Sequence, residues 1–314
     1  MPNSSNASPT PFFSKETLVK GRPTPIRCIT VEGHTLVLDG TRVERASLED
    51  EWFEDVQDPE AILRALKRLP RPPDLFTFWQ RVPDVVVRHP YQVQWEEIAV
   101  LPIHGYDHWW NHQIKSRVRS QIRKSAKDGL IVRETSYDDE FVRGMTAIFN
   151  ETPVRQGRPF WHYGKGFDIV KSQFARHLHR ETMIGAWYQG EMVGFIMLGN
   201  AGRFGVTGQI ISSVRHRDKS PNNALIAKAV EVCVKQGLEY LIYLHWTDDS
   251  LAEFKRRCGF ERTPIPRYWV PLTWKGRLAL FLGLHTGWKS LIPAWARTIL
   301  KGWRKRWYKH GVSD

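Results

Sequence analysis

Arg215, Arg217 and Lys219 alternate through the run Arg215-His216-Arg217-Asp218-Lys219-Ser220-Pro221-Asn222-Asn223, directly ahead of an apolar helical repeat. Side chains of this kind can hold phosphates, while Pro221 removes one backbone donor at the start of the helix. Asn222 and Asn223 stand at the same place. His245 closes the apolar run Leu241–Leu244, and an imidazole at a strand end can serve as a general base or simply be hydrogen-bonded there. Trp161-His162-Tyr163-Gly164-Lys165 forms an aromatic loop flexed at glycine, able to wall a pocket or to pack. Gly208 and Ser212 lie in the β-prone run Phe204–Val214, where Gly205 and Gly208 mark a bulge or a close backbone approach.

The hydrophobic pattern supplies the elements that must hold these groups. Met183–Tyr188 and Met192–Leu198 read as a hairpin around Gln189-Gly190-Glu191, with Gly190 free to adopt positive φ. Phe204–Val214 follows as a third strand. Ser220 as N-cap and Pro221 at the first helical position open a helix carrying Ala224, Leu225, Lys228, Ala229 and Val232, which Gly237 ends. Leu238–Leu244 is a further strand, and the last helix ends in Phe254-Lys255-Arg256-Arg257-Cys258-Gly259-Phe260. Upstream, Leu130–Glu134 reads as a strand, and Asp138–Glu151 and Phe167–His179 as helices. A long helix from His108 to Asp128, capped by Asp107 and ended by Gly129, carries Lys115, Arg117, Arg119, Arg123, Lys124 and Lys127 around an Ile114, Val118, Ile122, Ala126 stripe. Its cationic face is either solvated or bound to RNA, pyrophosphate or anionic lipid. Nearer the N-terminus, a hairpin over Ile26–Leu38 turns at Glu32-Gly33-His34. An amphipathic helix over Pro59–Leu69 stops at Pro70-Arg71-Pro72-Pro73, and short strands are expected at Val85–Val87 and Ile98–Ile103.

The chain has 314 residues and a net charge of +13, with glycine, proline and charge fractions of an ordinary globular protein. Its order divides it into a disordered leader (1–25), an accessory hairpin and helix region (26–105), a core domain (106–272) and a basic aromatic tail (273–314). Cys28, Cys233 and Cys258 lack metal or disulfide spacing, and the twelve histidines do not pair with carboxylates or cysteines at ligand spacing, so no metal is expected. From Trp274 to His310 there are nine Lys or Arg, five Trp and no acidic residue. Trp288, Ile292, Trp295, Ile299 and Trp303 fall on one helical face there, opposite Arg297, Lys301 and Arg304. The longest uncharged run, Leu278–Trp288, is well short of the roughly 20 residues that span a bilayer. Such a helix is expected to lie on an anionic membrane surface through 274–310, or to dock on its own domain or on RNA.

The run Met183–Phe260 resembles the acyl-transfer half of a GNAT-type domain. The fold class implied is α+β, with a mixed, mostly antiparallel central sheet flanked by helices, a small N-terminal accessory region and an amphipathic C-terminal helix. Three segments sharpen this. Arg117–Gly129, Phe149-Asn150-Glu151-Thr152-Pro153-Val154-Arg155-Gln156-Gly157 and Phe254-Lys255-Arg256-Arg257-Cys258-Gly259-Phe260 resemble the Fem family of aminoacyltransferases, which build peptidoglycan cross-bridges. The resemblance spans roughly Trp109–Leu272. The region ahead of it is shorter than that family's complete first domain, and no coiled-coil arm is visible.

The resemblance implies transfer of an acyl or aminoacyl group to an amine. The reaction centre then lies near Gly208–Ser213, where backbone N–H groups at Gly208 and Ser212 face the carbonyl, and Lys255 stabilises the developing oxyanion. Arg155, by matching the family's arginine, and Tyr163, by position alone, are expected to position an anionic acceptor, and Trp161 and Phe254 are counted among the substrate-binding residues. A GNAT loop of this kind is glycine-rich where it cradles coenzyme A pyrophosphate. Here it has no glycine and carries Pro221, which leaves aminoacyl-tRNA and acyl-CoA both open as donors. The implied acceptor is a small-molecule or lipid-linked amine of an envelope or polysaccharide precursor, met on the cytoplasmic face of the membrane by a peripheral enzyme. The competing class is a non-catalytic RNA- or membrane-surface-binding protein on the same fold.

Overall fold

In the computed structural model, residues 12–19, 22–155, 157–247 and 250–286 are described. They fall into two compact units, one of residues up to Trp95 together with those from Pro266 onward, the other of Glu96–Ile265.

The first unit opens with antiparallel strands β1 (Phe12–Val19), β2 (Arg22–Val31), β3 (His34–Asp39) and β4 (Arg45–Leu48). Strand β1 pairs with β2 from Phe12↔Ile29 to Val19↔Arg22, within the stretch expected to be a leader. The β2–β3 turn falls at Glu32 and Gly33, both at positive φ, as the sequence predicts. Helix α1 (Pro59–Lys67) is capped by the Asp58 side chain on Ala61 N and buries Ile62, Leu63 and Leu66. Strand β5 (Leu75–Trp79) is buried along its whole length. The strand expected at Val85–Val87 is absent. Those residues form an exposed loop whose carbonyls at Asp84 and Val86 take hydrogen bonds from the Gln80 amide, so a side chain replaces the missing ladder.

The second unit is built on strand β6 (Gln92–Pro102), of which the part from Glu96 belongs here. The long helix expected next is interrupted. A short helix α2 (Tyr106–His108) runs into a π-turn (Trp109–Gln113), the chain extends at Ile114 (ψ 151°), and helix α3 (Ser116–Lys127) starts afresh without a side-chain cap. The cause is a tertiary contact: Trp109 is fully buried with Nε1 donating to Cys258 O at 3.0 Å, and Lys115 N bonds Arg257 O, so an extra residue is wound in to seat both. The restart also turns Ser125 inward and Ala126 outward, which shifts the predicted stripe. Gly129 ends α3 at φ +89°, as expected.

The elements that follow are strand β7 (Ile131–Thr135), helix α4 (Asp139–Phe149), capped by Asp138 on Phe141 N, the small ladder β8 (Val154–Arg155) with β9 (Arg158–Pro159), and helix α5 (Phe167–Gln173). Helix α5 is shorter than predicted, since a separate 3-10 turn takes Leu178–Arg180. The next elements are β10 (Glu181–Tyr188), β11 (Glu191–Asn200), β12 (Phe204–Ser212), α6 (Pro221–Lys235), β13 (Tyr240–His245) and α7 (Ser250–Arg257). Ser220 precedes α6 in the left-handed region (φ 51°, ψ 43°) and makes no side-chain cap, contrary to the sequence reading.

The second unit's sheet has the order β6-β13-β12-β11-β10-β7, antiparallel except for β12 against β13. Helices α3 and α6 pack one face around Leu225, Ile226, Val230 and Cys233, and α4 and α5 pack the other around Phe141, Met145, Phe149 and Phe195. A methyl group on Gly205 would lie 2.8 Å from Cys233 Sγ, so the close approach read from sequence is that of α6.

The chain then returns to the first unit through strand β14 (Glu261–Pro271), which pairs with β5 from Arg267↔Trp79 to Pro271↔Leu75, and helix α8 (Trp274–Phe281), capped by Thr273 on Gly276 N. That unit's core gathers Ile29, Leu36, Ile62, Phe76, Phe78 and Tyr268. Among the described residues no helix is long and apolar enough to cross a membrane. The amphipathic helix expected over Trp288–Trp303 lies outside the described residues.

Candidate active site

Strand β12 runs beside β13 in parallel for only three pairs, Phe204↔Tyr240, Gly205↔Leu241 and Val206↔Ile242. At the end of the shared stretch Thr207 Oγ1 donates to Ile242 O at 3.2 Å, and beyond it the outer backbone edge of β12 has no strand partner among the described residues. Each strand contributes an irregularity to this split. On β12, Gly208 is the extra residue of a bulge, because the ladder with β11 passes from Met197↔Gln209 to Leu198↔Thr207. On β13, the register with β6 shifts between Ile242 and His245, and Leu244 takes φ +48°.

Lys255 holds the second irregularity. It is 1% exposed, its Nζ donates to Tyr243 O and His245 O at 2.7 Å each, and it lies 4.5 Å from the centre of the Tyr243 ring. A buried ammonium needs such acceptors to offset its lost hydration, and here they are the carbonyls that the bulge turns out of the ladder. His245 itself is exposed. Phe254 packs edge-on against Tyr243 from α7.

On the α4 side of the split stands Glu181, the first residue of β10. A methyl group on Gly208 would lie 3.4 Å from Glu181 Oε1, while Glu181 Oε2 is buried with no hydrogen-bond partner among the described residues. Burial pushes this carboxyl up to about 7. Sequence reasoning missed Glu181. The available signal was an acid in step with Met183 on an otherwise apolar strand.

The loop from β12 to α6 is fastened by a second acid, Glu151. Its carboxylate accepts Ser213 Oγ at 2.8 Å, Val214 N at 2.5 Å and Arg215 N at 2.8 Å, with Arg215 Nε at 3.2 Å and Arg155 at 3.4 Å. Burial alone would raise this carboxyl, but the two backbone amides, the Ser213 hydroxyl and the Arg215 guanidinium outweigh it and hold Glu151 below the usual range. Glu151 lay within a recognised segment, yet no local pattern announces a partner more than sixty residues away.

The expected donor-phosphate residues separate in space. Arg215 pairs with Glu151 and Glu191, and Lys219 with Asp218 and Asp128. Arg217 is exposed and makes no ion pair among the described residues. Asn222 Oδ1 is buried without a partner among the described residues. Asn223 is buried, with its amide on Gln121 Oε1 at 2.9 Å and Cys258 Sγ reaching Asn223 Oδ1, so it faces the α3–α6 core and not the loop. On α3, Arg119 is tied to Trp110 O and Ile114 O, Arg123 lies over the Trp110 ring and Lys124 pairs with Asp128, which engages half of the predicted cationic face locally.

Arg155 and Ser212 are brought together: Arg155 donates to Ser212 O and Ile148 O at 2.8 Å each and stacks 4.6 Å from the Phe160 ring. It clamps the α4–α5 loop to the end of β12. In that loop Trp161 and Tyr163 are about half exposed, whereas His162 is buried and stacked 4.3 Å from Phe149. Burial, with Lys165 and Arg155 nearby, drives His162 down to about 3, so it is neutral at physiological pH. Lys165 is buried between Gln173 Oε1 at 2.8 Å and the Trp161 ring at 4.0 Å.

Residues 142–260 match the acetyltransferase (GNAT) family. No curated protein matches the chain in sequence. Among solved structures, the C-terminal domain of a putative lysylphosphatidylglycerol synthetase from Agrobacterium fabrum is similar over 82% of this chain and 87% of its own, with a TM-score of 0.56 and 13% identity. FemX is similar over 87% of this chain and 90% of its own, with a TM-score of 0.56 and 12% identity. L-PGS from Bacillus licheniformis is similar over 77% and 83%, with a TM-score of 0.52 and 13% identity. At these identities the likeness is one of fold, and it extends past the half of the chain that the sequence segments cover.

Proposed function

Residues 142–260 carry an acyltransferase domain of the GNAT family, and from that premise we propose that the protein moves an aminoacyl group from an aminoacyl-tRNA ester to a primary amine of an envelope or polysaccharide precursor. The observation that carries the choice of donor is the placement of Glu151. In a loop that cradles pyrophosphate, consecutive backbone amides face the anion. Here the amides of Val214 and Arg215 already face a carboxylate of this chain, Lys219 N and Ser220 N close a 3-10 turn, and Pro221 has no N–H. A second anion in the same nest would meet the charge of Glu151. This favours the tRNA ester over acyl-CoA, as does the resemblance to the Fem family.

The reacting groups meet at the β12–β13 split. The open edge of β12 faces the ester carbonyl of the donor, and its N–H groups stabilise the oxyanion formed as the amine attacks. Glu181 takes the proton that the ammonium must lose before attack. With a carboxyl near 7 it is a stronger base than an ordinary glutamate yet largely ionised just above neutrality. The C–N bond forms, the ester C–O bond breaks, and the ribose hydroxyl leaves with a proton from the attacking nitrogen. Lys255 acts as a positioning residue, keeping the β13 bulge and hence the split open. The acceptor is lipid-linked in this reading, which rests on the basic aromatic composition from Trp274 to His310.

Calorimetric titration of the purified protein tests the donor. Saturable binding of a non-hydrolysable aminoacyl-tRNA, tighter than bare tRNA, with no heat from acetyl- or longer acyl-CoA is the expected result. Saturable acyl-CoA binding would overturn the choice of donor, and binding of neither would turn the reading toward a non-catalytic surface-binding protein.

A further inference from the structure

Helix α8 turns its large apolar side chains to solvent: Trp274 is 75% exposed, Leu278 47%, Phe281 87% and Leu282, just past its end, 47%. At about 100° per residue these positions share one side of the helix, while Gly276, Ala279 and Leu280 lie buried on the other. The orientation is set by contact, since a methyl group on Gly276 would stand 2.0 Å from Asp74 O, so only glycine lets the helix lie this close to Asp74 and Leu75. Lys275, which also pairs with Asp74 at 3.4 Å, and Arg277, both exposed, border the apolar stripe on its two sides. No acidic residue occurs from Trp274 to His310.

Next to the end of α8, a cavity of about 690 Å³ is lined by Leu284, His285, Arg42 and the ion-paired Asp39 and Arg45, among others. Arg42 is exposed and makes no ion pair among the described residues, and His285 Nδ1 is buried without a partner. An apolar stripe edged by cations, beside a recess offering an uncommitted guanidinium, matches an anionic lipid interface in both its layers.

We propose that this face of the first unit docks on an anionic membrane surface, with the Trp274, Leu278, Phe281 and Leu282 stripe among the acyl chains, Lys275 and Arg277 at the headgroups, and the recess at Arg42 receiving a lipid phosphate. The proposal deepens the reading of a lipid-linked acceptor, but the docking itself requires neither donor nor acceptor.

The test is sedimentation of the full chain with phosphatidylcholine vesicles, with and without phosphatidylglycerol. The expected result is phosphatidylglycerol-dependent binding that Leu278→Glu and Phe281→Glu each weaken by about tenfold or more, because each puts a charge where an apolar group must insert. Ile131→Glu, at an exposed site in the second unit, is the control and should bind as the parent does. Phe281→Cys, labelled with an environment-sensitive dye, reads insertion directly, since the three native cysteines are all buried. Its emission should shift to the blue on anionic vesicles. Three results would overturn the proposal: no sedimentation, undiminished sedimentation of both Glu variants with an unshifted dye, or a concentration-dependent dimer that Phe281→Glu abolishes. Donor titrations of the same Glu variants should match the parent, so a failure of docking is distinguishable from a failure of the transferase reading.

Discussion

In the proposed mechanism one proton on Glu181 serves both catalysis and stability. Its carboxyl rises to about 7 because burial disfavours the charged form, and Oε2 has no donor to relieve it. Glu181→Gln keeps the shape and removes the base, so kcat/KM should fall by about a hundredfold or more, with the ascending limb near pH 7 flattened. The sign of the stability effect follows from linkage. A carboxyl raised in the folded state stabilises the fold below its unfolded pKa, near 4.5, and that contribution is lost as pH rises through about 7. The urea midpoint of the Gln variant should therefore gain on the parent between pH 5 and pH 8. Full activity in the variant would remove Glu181 from the mechanism. Lys255 poses the opposite case: its motif is visible in sequence, but its Nζ is committed to the carbonyls of Tyr243 and His245, which in the proposed reading makes it a positioning residue.

At the scale of elements, the hairpin β10–β11, helix α6 with its stop at Gly237 and the Asp138 cap of α4 could be read from local pattern, because each depends on neighbours within a few residues. The departures share a cause as well. The predicted helix over 108–128 breaks where Trp109 must reach Cys258 O, and Ser220 fails as a cap because the loop ahead of it is drawn onto Glu151. Ser220 adopts φ +51° where an L-residue is strained. Ser220→Gly should leave the urea midpoint unchanged or raised. Ser220→Val, β-branched in the left-handed region, should cost about 1–3 kcal/mol. Equal effects from the two would mean that the strain is not borne there.

Over the whole molecule, a net charge of +13 draws polyanions irrespective of sequence. Affinity for bare tRNA should thus fall steeply with salt, whereas the preference for the aminoacylated form that the proposed function assigns to the split between β12 and β13 should persist. A preference that vanishes in parallel with the affinity would reduce RNA binding to surface charge. The amino-acid sequence by itself determined the strand and helix order from Leu130 to Phe260, the glycine-free loop and the basic aromatic character beyond Trp274, since hydrophobic period, turn residues and charge are local properties. Only the tertiary structure decided that Glu181 faces Gly208, that Glu151 occupies the loop amides, that Asn223 turns into the core and that β14 returns to pair with β5. Each of these is a contact between residues tens to hundreds of positions apart, and burial, which sets their chemistry, exists only once the chain has closed around them.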